Sequence, residues 1–388
     1  MDDLDYVVSG DSHIIEPFDL WTRTLANKHG DRLPQVLDNC NGVPGVYFFG
    51  GYEYFKLGDV EPKDTVDSTG ATKEMSDEMV DKVNRSNTDP ALRLELMEID
   101  KILAEIINPT VALLMMRTPN VELVRDCCAA YNDWIADHCS KNPKRLLGSA
   151  LIPMDDVEWA VRELERVAKK KLCNAIIYTD AKPSMPPYRS THYDRFWAAA
   201  VDLDLPVQLH VIPGQVRDPY TLQTAEEREL VPRQYLAIMS EPSPVLANDF
   251  VFGGIFDRFL QLQIILGEHE ISWFPYFLFR LRQLEGGLGE SLSMWRIKRP
   301  VDDYMQTQVW HGFTDDQFFD LAYQIAGPTR IMWGSDFPHP RNTFPNSHEI
   351  INRVLTNVSP EVKADVAGLN CARLFKLDLP AGSGAAAE

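Results

Sequence analysis

Short apolar segments alternate with amphipathic segments along most of this 388-residue chain. The apolar segments are rich in β-branched residues and bounded by turn residues, which predicts strands, whereas the amphipathic segments have helical spacing. Strands that alternate with helices form a parallel sheet, because each helix returns the chain to the starting edge. The strands are predicted to start near Tyr6, Val111, Leu146, Ala175, Val207, Ile264, Gln308 and Arg330.

Eight such strands predict one (β/α)8 barrel domain over residues 1–377. A long irregular insertion, rich in Gly, Asp, Asn and aromatic residues, is expected at 34–89, after the first strand. A second, polar and proline-containing insertion is expected at 219–244, and a helix is predicted through Phe250–Phe259. The tail at 378–388 should be disordered.

Two local predictions concern the start of the alternation. Pro90 opens the amphipathic run ALRLELMEIDKILAEII, which predicts a scaffold helix with proline in its first turn. The next run, TVALLMM, predicts the second strand from Thr110. Further on, DVEWAVRELERVAKKK predicts a helix that Asp155 or Asp156 caps.

Composition narrows the classes of partner. With 38 Lys and Arg against 57 Asp and Glu, the net charge is -19, which argues against nucleic acid and anionic membrane surfaces. The six cysteines show no C-x-x-C pairing and suit reduced thiols. The chain starts MDDLDY, which lacks a signal-peptide pattern, and no apolar run approaches membrane-spanning length. We expect a soluble cytoplasmic protein, with a homodimer as the prior from symmetry statistics.

Candidate chemistry begins at the end of the first predicted strand, in DYVVSGDSHIIEP. Asp11 and His13 are two residues apart, so an extended chain presents both side chains to the same side. By itself, D-x-H is a short pattern that also fits a turn cap beside an ordinary loop histidine.

Other polar residues also fall at or beside predicted strand ends. They are His210, His269, His311, Asp336 and His339. The carboxyl ends of the strands of a parallel barrel meet at one face, where active sites are built. Although a single histidine is more often structural, the joint placement favours a site for one Zn²⁺, Mn²⁺ or Fe²⁺ ion. The candidate metal ligands are Asp11, His13, His210 and Asp336.

At this point the sequence resembles the amidohydrolase superfamily. The resemblance is to its amidohydrolase-related family, which includes aminocarboxymuconate semialdehyde decarboxylase and γ-resorcylate decarboxylase, and covers nearly the whole chain. The most specific motif is WGSDFPHP at Trp333–Pro340. The other motifs are DSHIIEP, AYNDW at Ala130–Trp134, GEHEISWFPY at Gly267–Tyr276 and NCARLFKL at Asn370–Leu377.

The resemblance implies a distorted barrel whose metal ligands match the same four residues. It also implies that His269, at the end of the sixth strand, holds and polarises the reacting group. Many family members begin the first motif with His or Glu, whereas Asp11 is a harder oxygen donor that weakens a strict zinc preference. We find no counterpart of the carboxylated lysine of dinuclear members, so one ion is expected.

A second ion remains open, because carboxylates and imidazoles are in surplus. The candidates for a second ion or for substrate contacts are Glu16, Glu268, His311, His339 and Arg341. Glu16 fits a salt bridge or turn contact equally, and Glu268 and Glu270 fit hydrogen-bonded or solvated roles. Arg341 fits a substrate carboxylate and also an ordinary surface position.

A divalent ion permits more than one activity. It activates water for hydrolysis, or binds a substrate carboxylate and acts as an electron sink in decarboxylation. In either case His269 would be the acid or base, with Asp336 sharing proton transfer. The alternative is a non-heme iron oxygenase, with one or two irons, on the same barrel. A binding protein with a vestigial site is disfavoured by the intact ligand set.

Aromatic residues favour a small aromatic or cyclic substrate that bears a carboxylate. One group lies in the first insertion, and Trp273 and Phe274 form another. The insertion residues are Tyr47, Phe48, Phe49, Tyr52, Tyr54 and Phe55. A local apolar cluster under a long loop is an equally good reading of them.

Overall fold

A computed structural model describes residues 7–37, 46–49, 52–56, 64–66, 72–213, 239–288 and 297–379. In chain order the strands are β1 (Val7–Ile14), β2 (Gln35–Leu37), β3 (Val46–Phe49), β4 (Tyr52–Lys56), β5 (Asp64–Val66), β6 (Thr72–Glu74), β7 (Ile102–Pro109), β8 (Leu146–Leu151), β9 (Asn174–Ile177), β10 (Val207–His210), β11 (Ile264–Gly267), β12 (Val309–Phe313) and β13 (Ile331–Trp333).

The helices lie between the barrel strands and after the last of them. They are α1 (Leu20–His29), α2 (Asp77–Ser86), α3 (Pro90–Ile99), α4 (Val111–Met115), α5 (Val121–Cys139), α6 (Val157–Lys169), α7 (Asp194–Asp202), α8 (Ser243–Val245), α9 (Ile255–Arg258), α10 (Phe274–Gln283), α11 (Val301–Gln308), α12 (Phe319–Ala326), α13 (Ser347–Val354), α14 (Pro360–Ala364) and α15 (Asn370–Phe375). In the described part of the chain, none of these helices is both long and apolar enough to cross a membrane.

The eight strands β1 and β7 to β13 form one parallel sheet in chain order, and β13 returns to contact β1. This is the predicted (β/α)8 barrel, nearly closed. One apolar cluster contains Val8, Ala104, Ile265 and Met332, from strands that are mostly not neighbours in the sheet. It therefore fills the barrel interior, while a larger cluster lies between the strands and the helices.

The prediction for the second barrel strand is wrong. The run predicted as one helix divides into helix α3, which ends at Ile99, and strand β7, which starts at Ile102. Lys101 turns the chain between them with φ 55°, a left-handed conformation that lysine seldom adopts. The sequence has no glycine or proline there that would have indicated a turn. Thr110–Met116, predicted as the strand, contains helix α4 instead.

Two further predictions need correction. The insertion at 34–89 is not irregular throughout, because β2, β3 and β4 form an antiparallel sheet and β5 pairs with β6. The helix predicted through Phe250–Phe259 is interrupted, since Gly254 has φ 79° between the π-helical turn Leu246–Val251 and α9. Most of the second insertion, the final nine residues and the aromatic side chains at 47–55 lie outside the described residues.

Candidate metal centre at the barrel mouth

Two imidazoles and two carboxylates meet at the carboxyl ends of the barrel strands. Asp11 and His13 lie on β1, His210 is the last residue of β10, and Asp336 follows β13. Asp11 Oδ1 is 3.4 Å from His13 Nε2 and 3.6 Å from His210 Nε2, and Asp336 Oδ1 is 3.6 Å from His13 Nε2. Ligands that bind one ion at about 2.1 Å are about 3 to 3.5 Å apart, so Asp11, His13 and His210 have nearly the spacing of one coordination sphere. Asp336 joins His13 in a separate group.

Hydrogen bonds to main-chain carbonyls set the tautomer of both histidines. His13 Nδ1 donates to Pro109 O at 2.9 Å, and His210 Nδ1 donates to Val211 O at 2.8 Å. In the neutral form of each ring, Nε2 therefore carries the lone pair, and both Nε2 atoms are buried and have no hydrogen-bond partner. Buried nitrogens of this kind, aimed at carboxylates, fit a metal ion, because the second ring nitrogen of metal-binding histidines is normally held in this way.

Glu268 and His339 also enter this cluster. Glu268 Oε2 lies 3.9 Å from His13 Nε2 and 3.8 Å from His210 Nε2. His339 Nδ1 lies 2.7 Å from Asp336 Oδ1, and its ring centroid is 4.0 Å from that of His13. His13, Glu268, Asp336 and His339 thus form a second group with the spacing of metal ligands.

The backbone at the mouth is strained. Glu268, Glu270 and Asp336 have φ values of 61°, 52° and 55°, in the left-handed region that residues with a Cβ seldom occupy. Such conformations are costly and cluster at functional sites, where the surrounding structure imposes them. Here they bring the carboxylates of Glu268 and Asp336 to the same small volume as the imidazoles of His13 and His339.

The electrostatics of this volume favour a cation. Burial raises the pKa of Asp336 to about 7 and that of Glu268 to about 7. Burial opposes ionisation of Asp11, yet the neighbouring imidazoles of His210 and His13 outweigh it and lower the pKa of Asp11. Burial also opposes the charged form of His210, but Asp11 and Glu268 raise its pKa to about 9. Three carboxylates in one small volume repel each other unless a positive charge lies between them.

A cavity of about 640 Å³ opens above these residues. Glu268 and Asp336 lie at its wall together with Glu270, Trp273, Phe318 and Arg341. Of the described residues that line the cavity, Arg341 is the one lysine or arginine. The site thus combines residues that could hold a metal ion with two aromatic side chains and one arginine, and the volume suits a small substrate.

Sequence comparison identifies the family. The family profile described as amidohydrolase matches residues 65–377. The chain belongs to the amidohydrolase family. The predicted resemblance is therefore confirmed, and so is the prediction of a metal-dependent enzyme of this family, a hydrolase or a carboxy-lyase.

Individual relatives are more distant. The chain is 26% identical over 316 residues to gamma-resorcylate decarboxylase from Polaromonas sp. (strain JS666). This alignment covers 74% of the present chain and 91% of the relative.

Solved structures share the fold. An amidohydrolase from Mycobacterium avium subsp. paratuberculosis K-10 superposes with a TM-score of 0.75 and 17% identity, covering 97% of this chain and 99% of that one. The 5-carboxyvanillate decarboxylase from Novosphingobium aromaticivorans, solved with bound manganese, gives a TM-score of 0.66 and 17% identity, covering 96% of this chain and 97% of that one. These matches support the barrel assignment.

Some predicted site residues of this amidohydrolase lie elsewhere. Both oxygens of Glu16 accept main-chain N–H groups at the start of α4, from Val111 at 2.9 Å and Ala112 at 3.0 Å. The ring of His311 packs 4.2 Å from that of Phe274, and burial lowers its pKa to about 3. Neither residue belongs to the groups of metal-ligand spacing found in the described part of the chain.

His269 and Arg341 take different positions around the site. His269 is buried directly after Glu268, and its carbonyl accepts a hydrogen bond from Trp273 Nε1 at 3.0 Å. It is likewise outside the groups of metal-ligand spacing among the described residues. Arg341 is exposed at the cavity rim.

Sequence reasoning missed Asn108 and Ser149, which hold the candidate ligand Asp11 in place. Asn108 Nδ2 donates to Asp11 Oδ1 at 2.7 Å, and Ser149 Oγ donates to Asn108 Oδ1 at 2.5 Å. Asn108 lies near the end of β7, so a correct placement of the second strand would have put it at the barrel mouth. In the sequence, the signal for Asn108 was its position directly after the apolar run ILAEII.

Proposed function

We propose that this amidohydrolase is a metal-dependent decarboxylase of a small aromatic carboxylate. The observation that carries the proposal is the pair of buried, unpartnered Nε2 atoms of His13 and His210 that face Asp11 Oδ1. The relatives supply the direction of the chemistry, since they are named as decarboxylases of resorcylate and carboxyvanillate.

Asp11, His13, His210 and Asp336 would hold the ion. A bound divalent cation supplies Lewis acidity toward a substrate carboxylate and its neighbouring oxygen. Mixed nitrogen and oxygen ligands accept Zn²⁺, Mn²⁺ or Fe²⁺, and the carboxylate share favours the harder ions Mn²⁺ and Fe²⁺. Manganese in the structure of 5-carboxyvanillate decarboxylase supports the same choice.

The chain's own residues then bind the substrate and transfer a proton. Arg341 attracts a carboxylate at the cavity rim, and Trp273 and Phe318 offer apolar surface to a flat ring. His269 is assigned as the acid, with Asp336 sharing the proton transfer. The bond between the ring carbon and the carboxylate breaks, its electron pair stays on the ring carbon, that carbon takes the proton, and CO₂ leaves.

Product and isotope analysis test this function directly. Chelator-treated protein, reloaded with Mn²⁺, is incubated with 2,6-dihydroxybenzoate and with 5-carboxyvanillate, and CO₂ and the phenolic product are measured. We expect equal amounts of both, one deuterium on the product ring in D₂O, and no reaction before Mn²⁺ is restored. Metal-loaded protein that releases no CO₂ from a broad panel of phenolic acids contradicts the proposal.

A matched pair of histidine variants locates the activity. His210→Ala removes a buried Nε2 atom of the centre and should abolish both metal content and CO₂ release. His192→Ala removes an exposed histidine and should retain both. Equal metal content in the two variants would place the ion elsewhere.

An iron-dependent oxygenase is the second candidate, and Glu268 favours it. This third carboxylate lies within 4 Å of both histidine Nε2 atoms, so the mouth is rich enough in carboxylates to hold one or two irons. Iron content and substrate-dependent O₂ consumption measure this activity, whereas decarboxylation consumes no O₂. Hydrolysis of an ester, lactone or amide would use the same centre, and release of an acid and an alcohol or amine without CO₂ identifies it.

A further inference from the structure

The barrel closes at the metal centre through contacts between its first and last strands. Asp336 N–H donates to Asp11 O at 2.9 Å, and His13 N–H donates to Phe337 O at 2.6 Å. A Cβ on Gly334 would lie 2.5 Å from Asp11 Cβ, so only glycine permits this approach. The ligands that come from the two ends of the chain therefore meet across this seam.

One buried arginine joins both sides of the seam. Arg93, on α3, donates from Nη1 to His13 O at 2.9 Å and from Nη2 to Phe337 O at 3.4 Å. Its Nε donates to Glu105 Oε2 on β7 at 2.7 Å, and its guanidinium carbon lies 4.5 Å from the centre of the Phe337 ring. Arg93 is fully buried, and Glu105 is 2% exposed.

The two carbonyls that Arg93 binds lie on or next to candidate ligands. His13 is itself a proposed ligand, and Phe337 follows the proposed ligand Asp336 directly. The planar guanidinium presents its donors at fixed angles, which a lysine ammonium cannot reproduce. A buried charge is tolerated only with close partners, and here Glu105 is that partner.

We infer that Arg93 is a positioning residue of the metal centre: held by Glu105, its fork fixes the spacing between the first-strand and eighth-strand ligands. This inference rests on the proposed metal site. Groups that orient metal ligands from outside typically contribute about ten- to a hundredfold to metal affinity.

Metal titration of apoprotein variants tests the inference. For Arg93→Lys, and for the nearly isosteric Glu105→Gln, we expect folded protein by circular dichroism and an Mn²⁺ dissociation constant about ten- to a hundredfold higher than in the unchanged chain. The matched control is the Arg166 and Glu163 pair on α6, which is joined by two hydrogen bonds of 2.7 Å and does not contact the centre. Arg166→Lys and Glu163→Gln should change the constant by no more than about twofold.

Hydrogen exchange of the metal-free protein gives a readout that requires no ion. The amides of His13 and Asp336 should exchange faster in Arg93→Lys than in the unchanged chain, but not in Arg166→Lys. Unchanged Mn²⁺ affinity and unchanged amide protection in Arg93→Lys overturn the inference. An unchanged chain that binds no Mn²⁺ overturns the proposed function instead, and exchange then decides whether Arg93 holds the strand ends together.

Discussion

At the scale of single residues, main-chain carbonyls and one amide decide what the site side chains can do. The carbonyls of Pro109 and Val211 hold the Nδ1 protons of the two histidines, which leaves each Nε2 ready to accept an ion. Asn108 acts in the same way on the carboxylate, because its amide donates to Asp11 Oδ1. The sequence predicted the candidate ligands but not the orientation of their side chains.

Asn108→Ala should weaken metal binding while the chain still folds. The substitution removes the donor that fixes Asp11 and leaves the Ser149 hydroxyl without its acceptor. We expect the Mn²⁺ dissociation constant to rise about ten- to a hundredfold, since the substitution acts through a ligand's support. Titration of the chelator-treated variant measures it.

Asn132→Ala is the matched control for this variant. Asn132 is also a fully buried asparagine, but it bonds to the main chain of Leu151 and to Glu163 and to none of the candidate ligands. This control should lose stability and keep its affinity for Mn²⁺. Equal loss of affinity in the two variants would show that any buried cavity disturbs the site, and Asn108 would have no special role.

At the scale of elements, the periodicity of apolar residues predicted most of the barrel and failed at one junction. The run from Ala91 to Ile107 keeps apolar residues at helical spacing, although the chain turns at Lys101 and continues as strand β7. A pattern records which residues are buried and cannot show where tertiary contacts bend the chain. In contrast, helix α12 ends before Gly327, because glycine takes φ 77° there without strain.

Lys101→Gly should stabilise the protein. Lys101 adopts φ 55° between α3 and β7. For a residue with a Cβ, this left-handed conformation costs about 1 to 2 kcal/mol of folding free energy. Because glycine also gains freedom in the unfolded chain, the net increase in the free energy of unfolding should be about 0.5 to 1 kcal/mol. Urea unfolding measures it. Lys101→Ala retains the Cβ, so a comparable gain in that variant would contradict the explanation.

The cap of helix α6 gives a second prediction at this scale. Asp156 is the cap, since its side chain accepts the N–H groups of Glu158 and Trp159, whereas Asp155 binds Lys182. Asp156→Ala should lower the free energy of unfolding by about 1 kcal/mol. Asp156→Asn keeps an acceptor at the cap and should retain most of that stability, measured in the same urea series. An equal loss in both variants would assign the effect to the ion pair with Arg125 instead.

At the scale of the whole molecule, the acidic mouth couples stability to pH and to metal. In the metal-free protein the pKa values of Glu268 and Asp336 rise to about 7 from 4.5 and 3.8, so folding favours their protonated forms. Their contribution is present at low pH and is lost as pH rises toward 7. The pKa of His210 rises from 6.5 to about 9, and the stability it adds is lost as pH rises through 9.

The metal-free protein should therefore be less stable at pH 8 than at pH 6, and Mn²⁺ should remove the difference. An ion takes the place of the bound protons, so its stabilising effect grows with pH. At a free concentration a hundredfold above the dissociation constant it adds about 2.7 kcal/mol. Thermal unfolding at both pH values, with and without Mn²⁺, measures this. A metal effect that shrinks from pH 6 to pH 8 would contradict the assignment of these residues as ligands.

The sequence by itself determined the parallel barrel, the family and the identity of the four main candidate ligands. It could do so because the alternation of strands and helices and the polar residues at strand ends are local features, which can be recognised in the sequence without knowledge of tertiary contacts. Only the tertiary structure decided which of the additional carboxylates and imidazoles lie at the centre. Glu268 and His339 lie there, whereas Glu16 accepts hydrogen bonds at the start of helix α4. Contacts such as those of Asn108 with Asp11, and of Arg93 with Phe337, connect residues far apart in the chain, and their geometry exists only after the barrel has closed.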